Sequence, residues 1–150
     1  MSKRRLLFTV LATGVLVLGL AGPAYARQVV PNNCWVVDEG LQELRGNIYV
    51  ESTPDGRFHY INQITYRLHN GTSLGTQSNF NVRVYSPNDS LVWSYNSPDD
   101  RHSDDFYVLS VPNVGVVDGY KVKFIAIFDI TLAPDSRCSH TVVLHPGGLG

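Results

Sequence analysis

The sequence predicts an all-β domain, an antiparallel β-sandwich of seven or eight short strands. Three observations predict it. Apolar and polar residues alternate with a period of two in several stretches, as they do when one face of a strand meets a core and the other meets water. Clusters of Pro, Gly, Asn, Asp and Ser interrupt these stretches at short intervals. No window holds an apolar helical period over three turns, because the one candidate, Asp38 to Arg45, is short and contains Gly40.

Taken in order, Trp35-Val36-Val37 is a short apolar strand, and Asn47 to Ser52 alternates, with Ile48 and Val50 on one side and Tyr49 and Glu51 on the other. Thr53-Pro54-Asp55-Gly56 is a turn, since Pro54 presets φ and Gly56 accepts a positive φ. Arg57 to Asn70 follows, with Ile64, Tyr66 and Leu68 spaced by two and Thr65, Arg67 and His69 between them. Asn70-Gly71-Thr72 begins a loop. Phe80, Val82 and Val84 alternate with Asn81, Arg83 and Tyr85, and a turn at Ser86 to Ser90 leads to the hairpin partner Leu91 to Tyr95. Phe106 to Val111 is the next strand, ended by Pro112-Asn113. Gly115 and Asp118-Gly119 frame a further turn. Tyr120 to Thr131 is the strongest element, and its apolar Ile125 and Ile127 on the second face predict a central position. Pro134-Asp135-Ser136 turns the chain into a final strand, Thr141 to Leu144, near Cys138. The Gly-rich end, Pro146 to Gly150, is expected to fray.

The Tyr-x-Val-x-Phe-x-Ala run at 120 to 126 is similar to the penultimate strand of fibronectin type III and other immunoglobulin-like domains. The resemblance covers one strand and implies an immunoglobulin/fibronectin-III-like sandwich; it implies no function. The two cysteines do not have the spacing of an immunoglobulin disulfide.

Residues 1 to 26 read as a secretory signal peptide. Lys3, Arg4 and Arg5 are followed by an uncharged run from Leu6 to Leu20, a break at Gly22-Pro23, and the small-x-small site Ala24-Tyr25-Ala26. The apolar run is shorter than the about 20 residues that span a bilayer, and no cysteine stands at the cleavage point to accept lipid. The leader has a bacterial form and suits the general secretory route better than the twin-arginine one. Residues 27 to 150 then form a single domain, and the sequence places it outside the cell, with no membrane insertion after cleavage. Losing the three basic residues of the leader leaves 9 Lys and Arg against 13 Asp and Glu, a net charge of −4 with histidine neutral. Only two of the basic residues are lysines, and no basic run exists, so a nucleic-acid partner is not expected. Nor is attraction to an anionic membrane surface.

Cys34 and Cys138 are an even pair in an exported chain and predict a disulfide. With the two 104 positions apart and no Cys-x-x-Cys, a zinc site is disfavoured, and a catalytic thiol would have to stay reduced outside the cell. A link of this span is worth up to about 4–5 kcal/mol in the loop-closure limit.

Four groups of residues are candidates for chemistry. Asp99, Asp100, Asp104 and Asp105 crowd the stretch SPDDRHSDDF, where calcium is the conceivable ion. The doublets lack the alternate spacing, glycine and terminal glutamate of an EF-hand, and Arg101 already offers them a positive charge, so a wet loop is the first reading and an ion site the second. The histidines, His59, His69, His102, His140 and His145, are not spaced for one metal along a strand: His140 and His145 fall on opposite faces, and ten residues of strand separate His59 from His69 by about 33 Å. Asp99, Asp104, Asp129 and Glu51 are available for carboxylate chemistry, but spacing along the chain pairs none of them, and no nucleophile-elbow, zinc-protease or phosphate-loop motif is present. Trp93 and Tyr95, two apart, share one face of a strand and are the candidate ligand-binding pair, with core the first reading for Trp93 and exposure for Tyr95.

The expected function is therefore that of a secreted, non-enzymatic binding module for a protein or polysaccharide at or outside the cell surface, with no cofactor other than calcium. The alternatives are a calcium-stabilised structural surface domain, and a small secreted hydrolase or protease inhibitor.

Overall fold

The structure, a computed structural model, describes residues 27–37, 41–70, 77–99, 105–129 and 134–146. The signal peptide, the Gly-rich end, Asp100 and Asp104 lie outside the described residues. Eight strands follow one another: β1 (Arg27–Val37), β2 (Leu41–Ser52), β3 (His59–Asn70), β4 (Asn79–Tyr85), β5 (Leu91–Asn96), β6 (Phe106–Val116), β7 (Lys121–Phe128) and β8 (Ser136–Val143). There is no helix among the described residues. All pairings are antiparallel, and they build two four-stranded sheets, β1-β2-β3-β6 and β5-β4-β7-β8.

The alternation in the sequence becomes the inner faces of these sheets. Leu44, Ile48 and Val50 of β2 and Ile64, Tyr66 and Leu68 of β3 are buried. They meet Phe80, Val82 and Val84 of β4 and Val122, Phe124, Ala126 and Phe128 of β7. The contact is aromatic at its centre. Tyr66 of the first sheet stacks on Phe80 of the second with ring centroids 3.8 Å apart, and Phe80 meets Phe124 edge-on at 5.0 Å. Gly46 of β2 makes room for this group: a Cβ there would lie 2.2 Å from Cε2 of Phe124 and 3.2 Å from the Thr65 carbonyl oxygen. β7 is interior, between β4 and β8, which matches its two-sided apolar pattern.

The two lateral seams between the sheets differ. Along β1 and β8, Cys34 and Cys138 form a disulfide. Beside it, buried Asn32 donates from Nδ2 to the Val122 carbonyl at 3.2 Å, and its Oδ1 lies 2.8 Å from Nδ1 of His140. With Nδ2 of Asn32 committed to a carbonyl, Oδ1 is the acceptor and His140 carries its proton on Nδ1. The other seam, between β5 and β6, is lined by half-buried Trp93, Tyr95, Tyr107 and Leu109.

Several boundaries differ from the sequence expectations for physical reasons. β6 continues through Pro112 to Val116. An edge strand tolerates a proline because it has a side with no ladder to supply. Asn113, at φ 44°, and the register shift between Ile61 and Gln63 reset the parity, so that Val111 and then Val114 and Val116 are all buried. The stretch rejected as a helix is strand where it is described, since 41–45 belongs to β2, where Leu44 faces the core. β1 and β8 are longer than their apolar runs because Asn32 and Ser136, both polar, occupy inward positions.

The turn after β2 forms as its residues dictate. Gly56 has φ 67°, and its N–H donates to the Thr53 carbonyl at 2.8 Å. Asp55 Oδ1 accepts from the Thr53 hydroxyl at 2.6 Å and from the Arg57 N–H at 3.1 Å. These two bonds, the hydroxyl first, hold the Asp55 carboxyl below its ordinary pKa.

Two outcomes follow. Gly46→Ala forces Phe124 out of its packed position and lowers stability by about 1–3 kcal/mol in denaturant unfolding, the range for overpacking a core. For Asp55, a lowered folded-state pKa means its contribution is present above the unfolded carboxylate value and is lost as pH falls through the folded one. Thr53→Val removes the larger cause, so NMR titration of the Asp55 carboxyl should give a pKa moved back up toward the ordinary value, with the turn opening at higher pH than in the wild type.

Candidate functional site

The residues singled out from sequence are dispersed. Trp93 and Tyr95 lie opposite Val84 and Val82, both fully buried, and so stand on the core-facing side of edge strand β5. Their rings are nearly parallel, 6.5 Å apart and half-buried. Asp99 accepts from Asn79 Nδ2 at 2.6 Å, and Asp105 from the Tyr107 hydroxyl at 3.5 Å. Among the described residues no three His, Cys, Asp or Glu side chains converge to hold a metal ion. Asp129 accepts from the Gln77 N–H at 3.0 Å, while Glu51 accepts from the Tyr60 hydroxyl at 3.4 Å. His59 contacts Ser52 Oγ at 2.6 Å, and His145 pairs with Asp118 at 2.7 Å.

A different group comes together on the outer face of the first sheet. Eleven large apolar side chains are exposed among the described residues, and six of them, Val29, Trp35, Val37, Leu41, Phe106 and Val108, are on this one face. Trp35 is 65% exposed and Phe106 74%. The outer face of the second sheet carries Arg83, Lys121, Lys123 and Thr141 together with Ile125, Ile127 and exposed Val92 and Val143, and fewer of the exposed large apolar side chains.

Register explains which side chains meet. In one row, Asn33 of β1 lies opposite Arg45 of β2, Arg45 opposite Arg67 of β3, and Arg67 opposite Phe106 of β6. In the next row, Trp35 lies opposite Glu43, and Glu43 opposite His69. Two arginines are thus direct cross-strand neighbours, a like-charge arrangement that costs stability unless something compensates. Glu43 compensates Arg45 through a 2.8 Å contact from Nε to Oε1. It raises the Arg45 pKa above its ordinary value, by hydrogen bonding first and by charge second, so Arg45 is a permanent cation. The Arg67 guanidinium lies over the Phe106 ring, 5.3 Å from its centroid. A third arginine, Arg27, lies 4.1 Å from the Tyr49 ring centroid and donates to Gln63 Oε1 at 2.8 Å.

Between these side chains the surface is a shallow trough. One hollow of about 240 Å³ is lined by Asn33, Asn47, Thr65, Arg45, Arg67 and Phe106, among others. Another of about 190 Å³ lies among Glu43, Arg45, Arg67 and His69. A third of about 310 Å³ lies among Trp35, Val37, Leu41, Glu43 and Arg45. Arg45 borders all three, so they are adjacent hollows, with Phe106 lining the first and Trp35 the last. Neither Asp99, Asp129 nor Glu51 lines it.

This site was not apparent in the sequence, because its members come from four strands and only their register joins them. The available signal was the outward parity of Arg67 between Tyr66 and Leu68, and the presence of Trp35 in a strand too short to assign a face. No protein-family model matches the chain, and no curated protein or solved structure matches it.

Proposed function

We propose that the chain is an exported, non-enzymatic binding module, an immunoglobulin-like β-sandwich that engages a protein or polysaccharide outside the cell through the outer face of β1-β2-β3-β6. The observation that carries this reading is the concentration of exposed apolar side chains on that face, with Trp35 and Phe106 at the ends of an arginine-lined trough. Contiguous exposed apolar surface marks interaction sites, and Trp and Arg are the side chains that most often dominate binding energy.

Other features support the same reading. The order β2-β3-β6 against β5-β4-β7-β8 follows an A-B-E and C-F-G arrangement, with β5 beside C and β1 added outside A. The Cys34–Cys138 disulfide is compatible with an oxidising, extracellular compartment. Among the described residues no helix is long and apolar enough to cross a membrane. The carboxylates of Glu51, Asp99 and Asp129 accept hydrogen bonds that hold strands and loops, which suits a scaffold better than a catalyst.

The test is a retention screen on immobilised glycans and on candidate surface proteins, run with the wild type and with Trp35→Ala/Phe106→Ala. Both side chains are exposed, so the variant should keep the wild-type melting temperature while binding at least about tenfold more weakly, as truncating two anchors does. A partner retained equally by the variant would place the binding surface elsewhere.

A further inference from the structure

We propose that the trough takes a linear, carboxylate-bearing polysaccharide, its carboxylates on Arg45 and Arg67 and its sugar rings against Trp35 and Phe106. The inference rests on the reading of this face as the binding surface, and adds the chemical class of the ligand.

Charge argues for an anion. Arg45 and Arg67 are direct cross-strand neighbours at the centre of the depression, where Glu43 is the one acidic side chain lining it among the described residues. A planar guanidinium matches a carboxylate with two parallel hydrogen bonds, and two guanidiniums side by side provide successive acceptor positions for a repeating acid.

Shape argues for a chain of rings. Each hollow, at about 190 to 310 Å³, is at or below the lower end of small-molecule pockets, which run from about 300 to 1,000 Å³. None encloses a whole ligand, but in sequence they offer consecutive shallow positions. Trp35 and Phe106 stand on the two edge strands of the sheet, three interstrand spacings or about 14 Å apart across it. That distance accommodates a few linked sugars. Asn33, Asn47 and Thr65 supply neutral donors and acceptors for hydroxyl groups along the floor. A protein partner would instead call for a deep, well-packed apolar pocket to receive an anchor.

Two features bear on the strength and place of binding. The domain's net charge of −4 opposes any polyanion, so binding depends on this local pair and weakens with salt. The outer face of the second sheet also holds cations, Arg83, Lys121 and Lys123, but it does not set two arginines directly opposite each other across strands. Among the described residues it has no exposed tryptophan or phenylalanine.

Affinity electrophoresis decides the matter, with polygalacturonate, its methyl-esterified form and poly-L-glutamate as the probes. At low salt the wild type should be retarded by polygalacturonate, and at least tenfold less by the neutral ester. Arg45→Gln/Arg67→Gln should bind at least tenfold more weakly, Trp35→Ala several-fold more weakly, and Lys121→Gln/Lys123→Gln as the wild type does, all with wild-type melting temperatures. Absence of retardation by polygalacturonate overturns the proposal. So does an unaffected Arg45→Gln/Arg67→Gln variant, or a loss confined to the lysine variant. Stronger retardation by poly-L-glutamate also overturns it and assigns the trough to an acidic protein segment. If Trp35→Ala/Phe106→Ala abolishes retention of some partner that Arg45→Gln/Arg67→Gln keeps, the face stands as the binding surface and the acidic glycan falls.

Discussion

The interlock of Tyr66, Phe80 and Phe124 across the gap between the two sheets is the constraint on which the rest of the structure depends. Tyr66 comes from the first sheet and the two phenylalanines from the second, and Phe124 occupies the volume that Gly46 leaves open. Aromatic side chains bury more area than any others, and close packing leaves them few alternative positions. Once Tyr66 faces inward, parity fixes the rest of β3. Thr65, Arg67 and His69 must then face outward, because successive side chains of a strand alternate. The outer face proposed as the binding surface is in this sense set from inside the molecule. A slip of one residue would move Arg67 into the core and Tyr66 into water.

The covalent seam along β1 and β8 has a separate consequence. β1 is an edge strand whose inward positions include a buried asparagine and only half-buried valines, so its apolar burial is modest. The disulfide and the Asn32 bridge to Val122 and His140 attach it to the second sheet as well as to β2. That attachment matters for the outer face, because Trp35 is the neighbour of Cys34 and points the opposite way along the same strand. Side chains held in place before a ligand arrives lose less entropy on association. A ring tethered next to a disulfide meets that requirement better than one on a fraying terminus.

Much of the architecture was legible in the sequence, and the places where it was not have physical causes. The turn at Thr53 to Gly56 was readable because Pro54 and Gly56 each have a specific backbone reason to be there. β4 and β7 were readable because every inward position is apolar. β1 and β8 were under-read because inward Asn32 and Ser136 break the alternation, and the hydrogen bonds that make the burial of Asn32 tolerable come from distant residues. Pro112 looked like a terminator because an edge position cannot be told from a central one before the sheet order is known. Trp93 and Tyr95 shared a face as their spacing required, but which face was set by pairing with Val82 and Val84. The trough was out of reach for the same reason, since Arg45, Arg67 and Phe106 are neighbours only through register.

Interstrand nuclear Overhauser contacts across β2, β3 and β6 therefore test the central claim most directly. The backbone of Arg45 should show cross-strand contacts to Arg67, and that of Arg67 to Phe106, with the Tyr66 ring contacting Phe80. Contacts pairing Gly46 with Arg67, or an Arg67 side chain seen against the core aromatics, would contradict it.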